Sequence, residues 1–470
     1  MNDLTKSLNT IMLRPLGAVI ILLACIVGID AVAKEYSLTE AIQNAQANDP
    51  WLSGSRFRQA NLEALSASAG TLPDPTVSVG MANVPIDSFD FTQEGMTQFK
   101  VGVSQMFPRG KTLSLRQEKL EMLSRAQPFV RENRKASNAV VVAGHWLEVF
   151  RRQKTIALIK QERGLFEHLV DVAQSSYTTA SGRTRQQDFV RAQLELTRLE
   201  DRLTTLQQQR EMQLAMLGEW LVSDGSMNDR YDLAIKMPEK VELGTPMSDL
   251  VGAPDSSSKR ERLAEVLSEH PKIKSINQKV SAGESGVTLA KQSYKPQWGV
   301  NASYGMRDTD PMGNDRSNFL SVGVSFDVPL FTGKRQDKQV QAATAEKEAV
   351  KTERALALRQ LRSGFAAAEV NYIRLNDRKT LFDTRLLKEM SEQAEASLTA
   401  YTNDNGDFSE VVRARISELN AKIDALNIEV DIQKAIAQLN YFLVAKYEKT
   451  TFEAAALPKV ASASVGDENE

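Results

Sequence analysis

The strongest constraint on this chain is an internal repeat, in which motifs of the first half recur in the same order in the second half. Pro50 and Pro271 each end a short polar motif and lie 221 residues apart. The segments VGVSQMFP (101–108) and VGVSFDVP (322–329) are offset by the same 221 residues. Solenoid proteins repeat every ~20–50 residues, so this much longer period indicates duplication of a whole structural half.

The composition narrows the class of protein. The 58 Lys and Arg residues nearly balance the 60 Asp and Glu residues, whereas a nucleic-acid partner usually requires a basic excess. The mean hydropathy of −0.33 is too polar for a bundle of membrane-spanning helices, but it permits a barrel with a polar lumen. One cysteine and three scattered histidines lack metal-ligand spacing, so we expect no metal, no cofactor and no enzyme.

The N-terminus has the pattern of a secretory signal peptide. Lys6 and Arg14 precede an apolar run at 16–29, and Ala31-Val32-Ala33 supplies the small residues of a cleavage site. We therefore predict a signal peptide at 1–33. Lipidation at Cys25 is the alternative, and an uncleaved anchor is disfavoured because a membrane span needs about 20 apolar residues.

Each half contains two runs in which apolar and small polar residues alternate. In the second half, Trp298, Val300 and Tyr304 share one face, and Gly299 and Ser303 share the other. A period of two predicts strands with one apolar face. Hairpins are therefore predicted at 75–107 and 296–328, with a soluble β-sandwich as the alternative.

The remaining sequence of each half predicts long helices. The first repeat, 36–218, comprises a helix at 38–70, the hairpin and long helices at 111–176 and 184–218. The second repeat, 260–447, comprises a helix at 260–291, the hairpin and long helices at 334–401 and 407–447. An irregular equatorial segment at 219–259 and a flexible tail at 448–470 complete the chain. Heptad spacing on the return helices predicts coiled-coil packing through Leu196, Leu199, Leu203 and Leu206, and through Ile416, Leu419, Ile423, Leu426 and Val430.

Four strands are too few to close a barrel, and an open-edged sheet cannot lie in lipid. Closure requires strands from other copies of the chain. Two copies would give eight strands and a filled barrel, whereas three would give twelve strands and a lumen.

These motifs resemble the TolC-type outer-membrane efflux proteins across residues 36–447. The resemblance is carried by LPDPTVSVG (72–80), by VGVSQMFPRGKTLSLR (101–116) and by its echo VGVSFDVPLFTGKRQ (322–336). It implies a mostly α, α+β fold and a homotrimer with a twelve-stranded barrel and a periplasmic α-helical tunnel. It also implies the outer membrane of a Gram-negative bacterium, with lipid contact, a periplasmic adaptor and an inner-membrane pump of the RND type as partners. LPDP, DSFDF (87–91) and MTQFKVGVSQMFPRGK (96–111) are most similar to the heavy-metal-efflux branch of CusC and CzcC.

The resemblance also implies where such a channel is gated. The turns that join the long helices would form the periplasmic entrance, and Arg413 departs from the aspartate that the family often has there. The implied gate residues are Tyr177, Gly182, Arg183, Arg185, Asp188, Arg191, Tyr401, Asp404, Gly406, Asp407, Glu410 and Arg413. The implied strand-to-helix bends are at Pro108, Gly110, Pro329 and Gly333.

The sequence leaves several functions open. A metal-efflux duct is the first prediction, and a drug or protein export duct is the second. A periplasmic adaptor or a structural coiled-coil protein would share the helices without needing lipid-facing strands. Gly110-Lys111-Thr112 suggests a P-loop enzyme, but the motif needs a glycine where Gln105 stands. Met81, Met96 and Met106 are copper-ligand types, although lipid contact explains Met81 better.

Overall fold

A computed structural model describes residues 37–178, 186–221, 250–403 and 406–444. The first half contains α1 (Leu38–Asn48), α2 (Pro50–Ala69), β1 (Thr76–Ala82), β2 (Gln98–Phe107), α3 (Thr112–Thr178) and α4 (Gln186–Leu221). The second half contains α5 (Ser257–Ser268), α6 (Pro271–Lys291), a 3₁₀ turn (Gln292–Tyr294), β3 (Trp298–Met306), β4 (Phe319–Phe326), α7 (Gln336–Leu381), a π-helical turn (Phe382–Leu386), α8 (Leu387–Thr402) and α9 (Phe408–Phe442). No helix within these ranges is both long enough and apolar enough to cross a membrane.

The four strands form one antiparallel sheet in the order β1-β2-β3-β4. The central pairing joins the two halves, with Val103 of β2 opposite Ala302 of β3. The outer pairings continue that row, with Val77 opposite Val103 and Val322 opposite Ala302. This register places the predicted apolar residues of all four strands on one face, so the mostly helical α+β fold class is confirmed.

The long helices form the rest of the molecule. Helix α3 has 67 residues, continues through Pro128 and spans about 100 Å at ~1.5 Å per residue. The heptad residues Leu199, Leu203, Leu419 and Ile423 are buried together against Ile159 of α3. The predicted coiled-coil stripes are therefore core positions between α3, α4 and α9.

The helix predicted to open each half is instead two helices. Pro50 and Pro271 each start a helix, because proline lacks a backbone N–H and disfavours helical geometry in the residue before it. Asp49 and His270 accordingly have extended backbones and act as N-caps. The helix predicted at 334–401 is also interrupted, by the π-helical turn that separates α7 from α8.

Ion pairs tie the two repeats together along the contact between α3 and α9. Lys434 of α9 pairs with the half-buried Glu148 of α3, and Lys422 pairs with Glu162 at 2.7 Å. Burial alone would raise the pKa of Glu148, but the hydrogen bond from Lys434 holds that pKa below its usual value. Since these pairs join residues from different repeats, they fix the register of one half against the other.

His270 is a buried helix cap that works only in its neutral form. Its Nδ1 accepts a hydrogen bond from the N–H of Lys272 at 3.2 Å, and its Nε2 lies 3.1 Å from the carbonyl oxygen of Tyr441. Burial lowers its pKa to about 4 from the ordinary value of 6.5. The unfolded chain therefore binds more protons between these two pH values, so stability is retained above pH 6.5 and falls as the pH drops towards 4.

We predict that His270→Asn flattens this pH dependence. Asparagine can cap the helix but does not titrate, whereas wild type should lose about 2 kcal/mol of unfolding free energy between pH 7 and pH 5 through this histidine. Thermal unfolding in detergent at both pH values measures the difference. The same slope for wild type and variant would contradict the assignment, whatever the variant's stability at pH 7.

Candidate channel-forming surfaces

The apolar face of the sheet is uncovered. Leu320 is 74% exposed, Val322 is 69% exposed and Val79 is 64% exposed, and the same face carries Trp298, Val300, Tyr304 and Phe326. A row of large apolar side chains on this scale marks a surface that meets lipid or another protein. No charged side chain interrupts it within the four strands.

The opposite face of the sheet is rich in small residues that approach one another closely. A Cβ atom added to Gly102 would lie 2.8 Å from Ser78 Oγ, and one added to Gly323 would lie 2.8 Å from Asn301 Oδ1. A Cβ on Gly299 would lie 2.7 Å from Ser325 Oγ. These glycines leave room for their neighbours' side chains, and this face is small, polar and tightly packed.

Both edges of the described sheet are open. The outer strands β1 and β4 each have one partner, so the backbone groups on their far sides are unpaired within it. Gln105 covers part of the gap beyond the start of β1, where its Nε2 donates to the carbonyl of Pro73 at 2.8 Å. An apolar sheet with open edges is incomplete as a membrane element.

The bends between sheet and helices are held by contacts between the two halves. Gly110 has φ of +47°, and an added Cβ would lie 2.5 Å from both Gln292 Oε1 and Lys295 Cδ, so only glycine fits without strain. Arg109 donates to the carbonyl of Lys295 at 2.7 Å and also pairs with Asp327. In the second half, Gly333 after Pro329 has open space around it, so this glycine is not required by its surroundings.

The described residues at the helical tips have different surroundings. Asp407 caps α9 by accepting the N–H of Ser409 at 3.0 Å. Glu410 and Arg413 are exposed one turn apart, with their charged atoms 4.0 Å from each other. Asp188 is buried in the first turn of α4, whereas Arg191 is exposed. Gly182, Arg183, Arg185, Asp404 and the side chain of Tyr177 lie outside the described residues.

An apolar cluster behind these charges joins three helices at the tips. Phe408, Val411 and Val412 of α9 are buried against Leu169 of α3 and Ala192 of α4. The Tyr401 ring packs on Phe408 with 5.4 Å between ring centroids. Reasoning from charges missed this cluster, although the apolar spacing of 408, 411 and 412 is typical of a buried helical face.

A buried charge network on the same helix was also missed. Glu418 pairs with Arg415 at 2.9 Å and with Lys422 at 3.1 Å, and Arg415 reaches Glu395 of α8 at 2.7 Å. Burial alone would raise the pKa of Glu418, but hydrogen bonds from Lys422 and Arg415 lower it. The sequence signal was the i, i+3 and i+4 spacing of opposite charges. The network links α8, α9 and, through Lys422, α3.

The three methionines considered as copper ligands lie in different parts of the sheet region. Met81 lies on the apolar face opposite Phe99, whereas Met106 lies on the polar face opposite Gly299. Met96 belongs to the loop before β2. Among the described residues, no group of three or more His, Cys, Asp or Glu side chains could hold a metal ion.

Comparison with known proteins agrees with this geometry. Residues 263–443 match the family model described as outer membrane efflux protein. The outer-membrane channel OprN superposes with a TM-score of 0.70 at 14% identity, covering 86% of this chain and 89% of that one. CusC gives 0.70 at 14% identity over 87% and 92%, and VceC from Vibrio cholerae gives 0.70 at 15% identity over 86% and 95%. Comparison with curated proteins gives no match.

The fold is the one seen in the outer-membrane channels OprN, CusC and VceC. The resemblance to TolC-type proteins predicted from the motifs is confirmed, since residues 263–443 match the outer membrane efflux protein family and the channel fold extends over both repeats. The heavy-metal branch is not distinguished, because OprN, CusC and VceC superpose equally well.

We predict that Gly406→Ala loosens the tip turn. A Cβ there would lie 2.7 Å from the backbone nitrogen of Tyr401 and 2.9 Å from the carbonyl carbon of Ala400, so the turn must shift. Overpacking of this kind destabilises by about 1–3 kcal/mol. Limited proteolysis at the tips, with thermal unfolding, measures the effect. Gly164→Ala in α3 is the control, since nothing lies within 4 Å of its added Cβ.

Proposed function

We propose that this protein is the outer-membrane channel of a tripartite efflux system, a passive exit duct for cargo delivered from the inner membrane. The observation that carries the proposal is the four-stranded sheet, with its exposed apolar face and two open edges. A soluble adaptor or a structural coiled coil would share the long helices but has no use for such a face. That alternative predicts purification without detergent.

The open edges support assembly as a homotrimer. Strand β4 runs antiparallel to β3 and ends at the helical side, so β4 of one copy can pair antiparallel with β1 of the next. Three copies give twelve strands in which every edge is paired, the apolar faces meet lipid and the small polar faces line a lumen. The 67-residue α3 and its neighbours then continue the tube into the periplasm.

The resemblance to TolC-type proteins supplies the partners and the cargo of the proposed channel. The far ends of the helices, about 100 Å from the sheet, would meet a periplasmic adaptor and an RND-type inner-membrane pump. Heavy-metal cations are the cargo predicted from the sequence motifs, and drugs or proteins are the second candidate. The helical tips would form the gate, where threefold symmetry turns each exposed charge into a ring of three.

We predict that the two faces of β4 differ in tolerance. Val322→Arg and Val324→Arg place a charge on the exposed apolar face and should each cost about 2–4 kcal/mol near the membrane midplane. Ser321→Arg on the opposite face is the control and should assemble. The readout is the detergent-extracted trimer of about 140 kDa, three mature chains of ~48 kDa each. Equal tolerance of both faces, or a stable monomer, would contradict the barrel.

We also predict that the tip acids hold the gate closed. Asp404→Asn, Asp407→Asn and Glu410→Gln together remove three negative charges per chain, and an asparagine in place of Asp407 can still cap α9. Exposed pairs contribute only about 0–1 kcal/mol each, but three symmetric sets can bias a two-state gate by a few kcal/mol. Single-channel conductance in planar bilayers should rise and lose its block by periplasmic multivalent cations. Glu389→Gln with Glu392→Gln, on the exposed side of α8, should leave both unchanged, and a triple variant that conducts like wild type would refute this gate.

A further inference from the structure

The sheet contains one charged residue. Across the 34 residues of β1, β2, β3 and β4 described above, Lys100 is the only Asp, Glu, Lys or Arg. It lies on the small polar face, where its partners across the two neighbouring strands are Gly80 and Gly305. Both partners lack a side chain, and Lys100 is exposed.

Nothing in the fold of one chain requires a cation at this position. The positions before and after Lys100 on the same face of β2 are Gln98 and Gly102, so no carboxylate within the sheet offsets its charge. An acidic residue directly opposite a lysine on a neighbouring strand would stabilise the sheet, and Lys100 has no such partner. Nothing lies within 4 Å of a Cβ added to Gly80, whereas the amide of Gln98 fills the space over Gly305, so the Lys100 side chain has open space on the Gly80 side.

We propose that Lys100 forms a ring of three positive charges in the channel lumen, which favours anions over cations and binds multivalent anions. The proposal rests on the trimeric channel proposed above, whose symmetry places the three lysines at one height. That height is about 7 Å, two residues of ~3.4 Å, from the extracellular end of β2. Rings of basic side chains set anion preference in pores. The barrel therefore suits anionic or uncharged cargo better than free metal cations, which favours the second of the two cargo classes.

The loops above the ring carry the opposite charge. The hairpin loops contain Asp87, Asp90, Glu94, Asp308, Asp310 and Asp315. The guanidinium of Arg316, in the same loops, is held in place because it donates to the carbonyls of Thr92 and Glu94 at 3.1 and 2.9 Å. Arg307 likewise donates to the carbonyl of Gly95 at 2.9 Å. All of these acids except the half-buried Asp310 are exposed, and all lie beyond the strand ends. Salt at physiological strength screens their charges over about 8 Å. Within the strands, the Lys100 ring is therefore the fixed charge of the barrel wall.

The test is the reversal potential of channels in planar bilayers under a KCl gradient whose dilute side is at least about 0.15 M, so that the loop acids stay screened. Wild type should pass chloride more readily than potassium, and Lys100→Gln should lower the chloride-to-potassium permeability ratio by at least about twofold. Lys100→Arg keeps the charge and should behave like wild type. Ser104→Lys adds a charge to the same face of the same strand and should raise the ratio.

A second readout uses a multivalent anion as the probe. Tripolyphosphate added from the extracellular side should block wild-type and Lys100→Arg channels and should not block Lys100→Gln. If Lys100→Gln keeps the wild-type ratio and block while Ser104→Lys changes them, Lys100 does not set selectivity and the inference is overturned. If wild type forms no channels at all, the proposed function itself fails, so the two failures are distinguishable.

Discussion

The backbone groups at the two edges of the sheet are the constraint on which the rest of the structure depends. They must be hydrogen-bonded before the sheet can enter lipid. The four strands bury little of their apolar face and leave β1 and β4 open in the described sheet. Pairing β4 with β1 of another copy satisfies these groups, since the two strands run in opposite directions. The bend at Gly110 and the ion pair between Arg109 and Asp327 then fix how the helices leave the sheet. In the proposed channel, assembly is therefore part of the folding problem.

The helical part solves a different problem, which is to hold four long elements in register over about 100 Å. Apolar seams between α3, α4 and α9 supply the packing, but a uniform leucine stripe tolerates sliding. The Glu148–Lys434 and Glu162–Lys422 pairs occur at particular heights and join opposite repeats, so they oppose such sliding. The apolar cluster around Phe408 does the same at the tips. Charges near the tips can then differ in function, because Asp407 is committed to a helix cap whereas Glu410 and Arg413 are exposed.

The lumen and the lipid face differ in how much a substitution there can change function. On the apolar face every residue would contact the same lipid solvent, so a substitution there matters mainly through its hydrophobicity. In the proposed trimer the small polar face is different, because each side chain is repeated by symmetry around a single pore. Lys100 stands among glycines and serines on that face, and a lone charge in such a setting affects every ion that passes. Under this proposal, cargo preference is a property that the barrel and the gate can share with the pump.

The period-two runs and the heptad spacing determined the four strands, their apolar face and the helical seams, because these follow from local periodicity. The fold class followed from the duplicated motifs and the family that they resemble. Pro50 and Pro271 mark helix breaks that the sequence contains, but one continuous helix was predicted across each of them. Only the tertiary structure decided what each charged residue does. The burial of Glu418, the capping role of His270 and the pairing of Lys434 with Glu148 depend on helices brought together from distant sequence. The sequence shows that residue 100 is a lysine, but only the strand register shows that glycines lie on both sides of it. Register depends on the pairing between strands, so no single strand determines it.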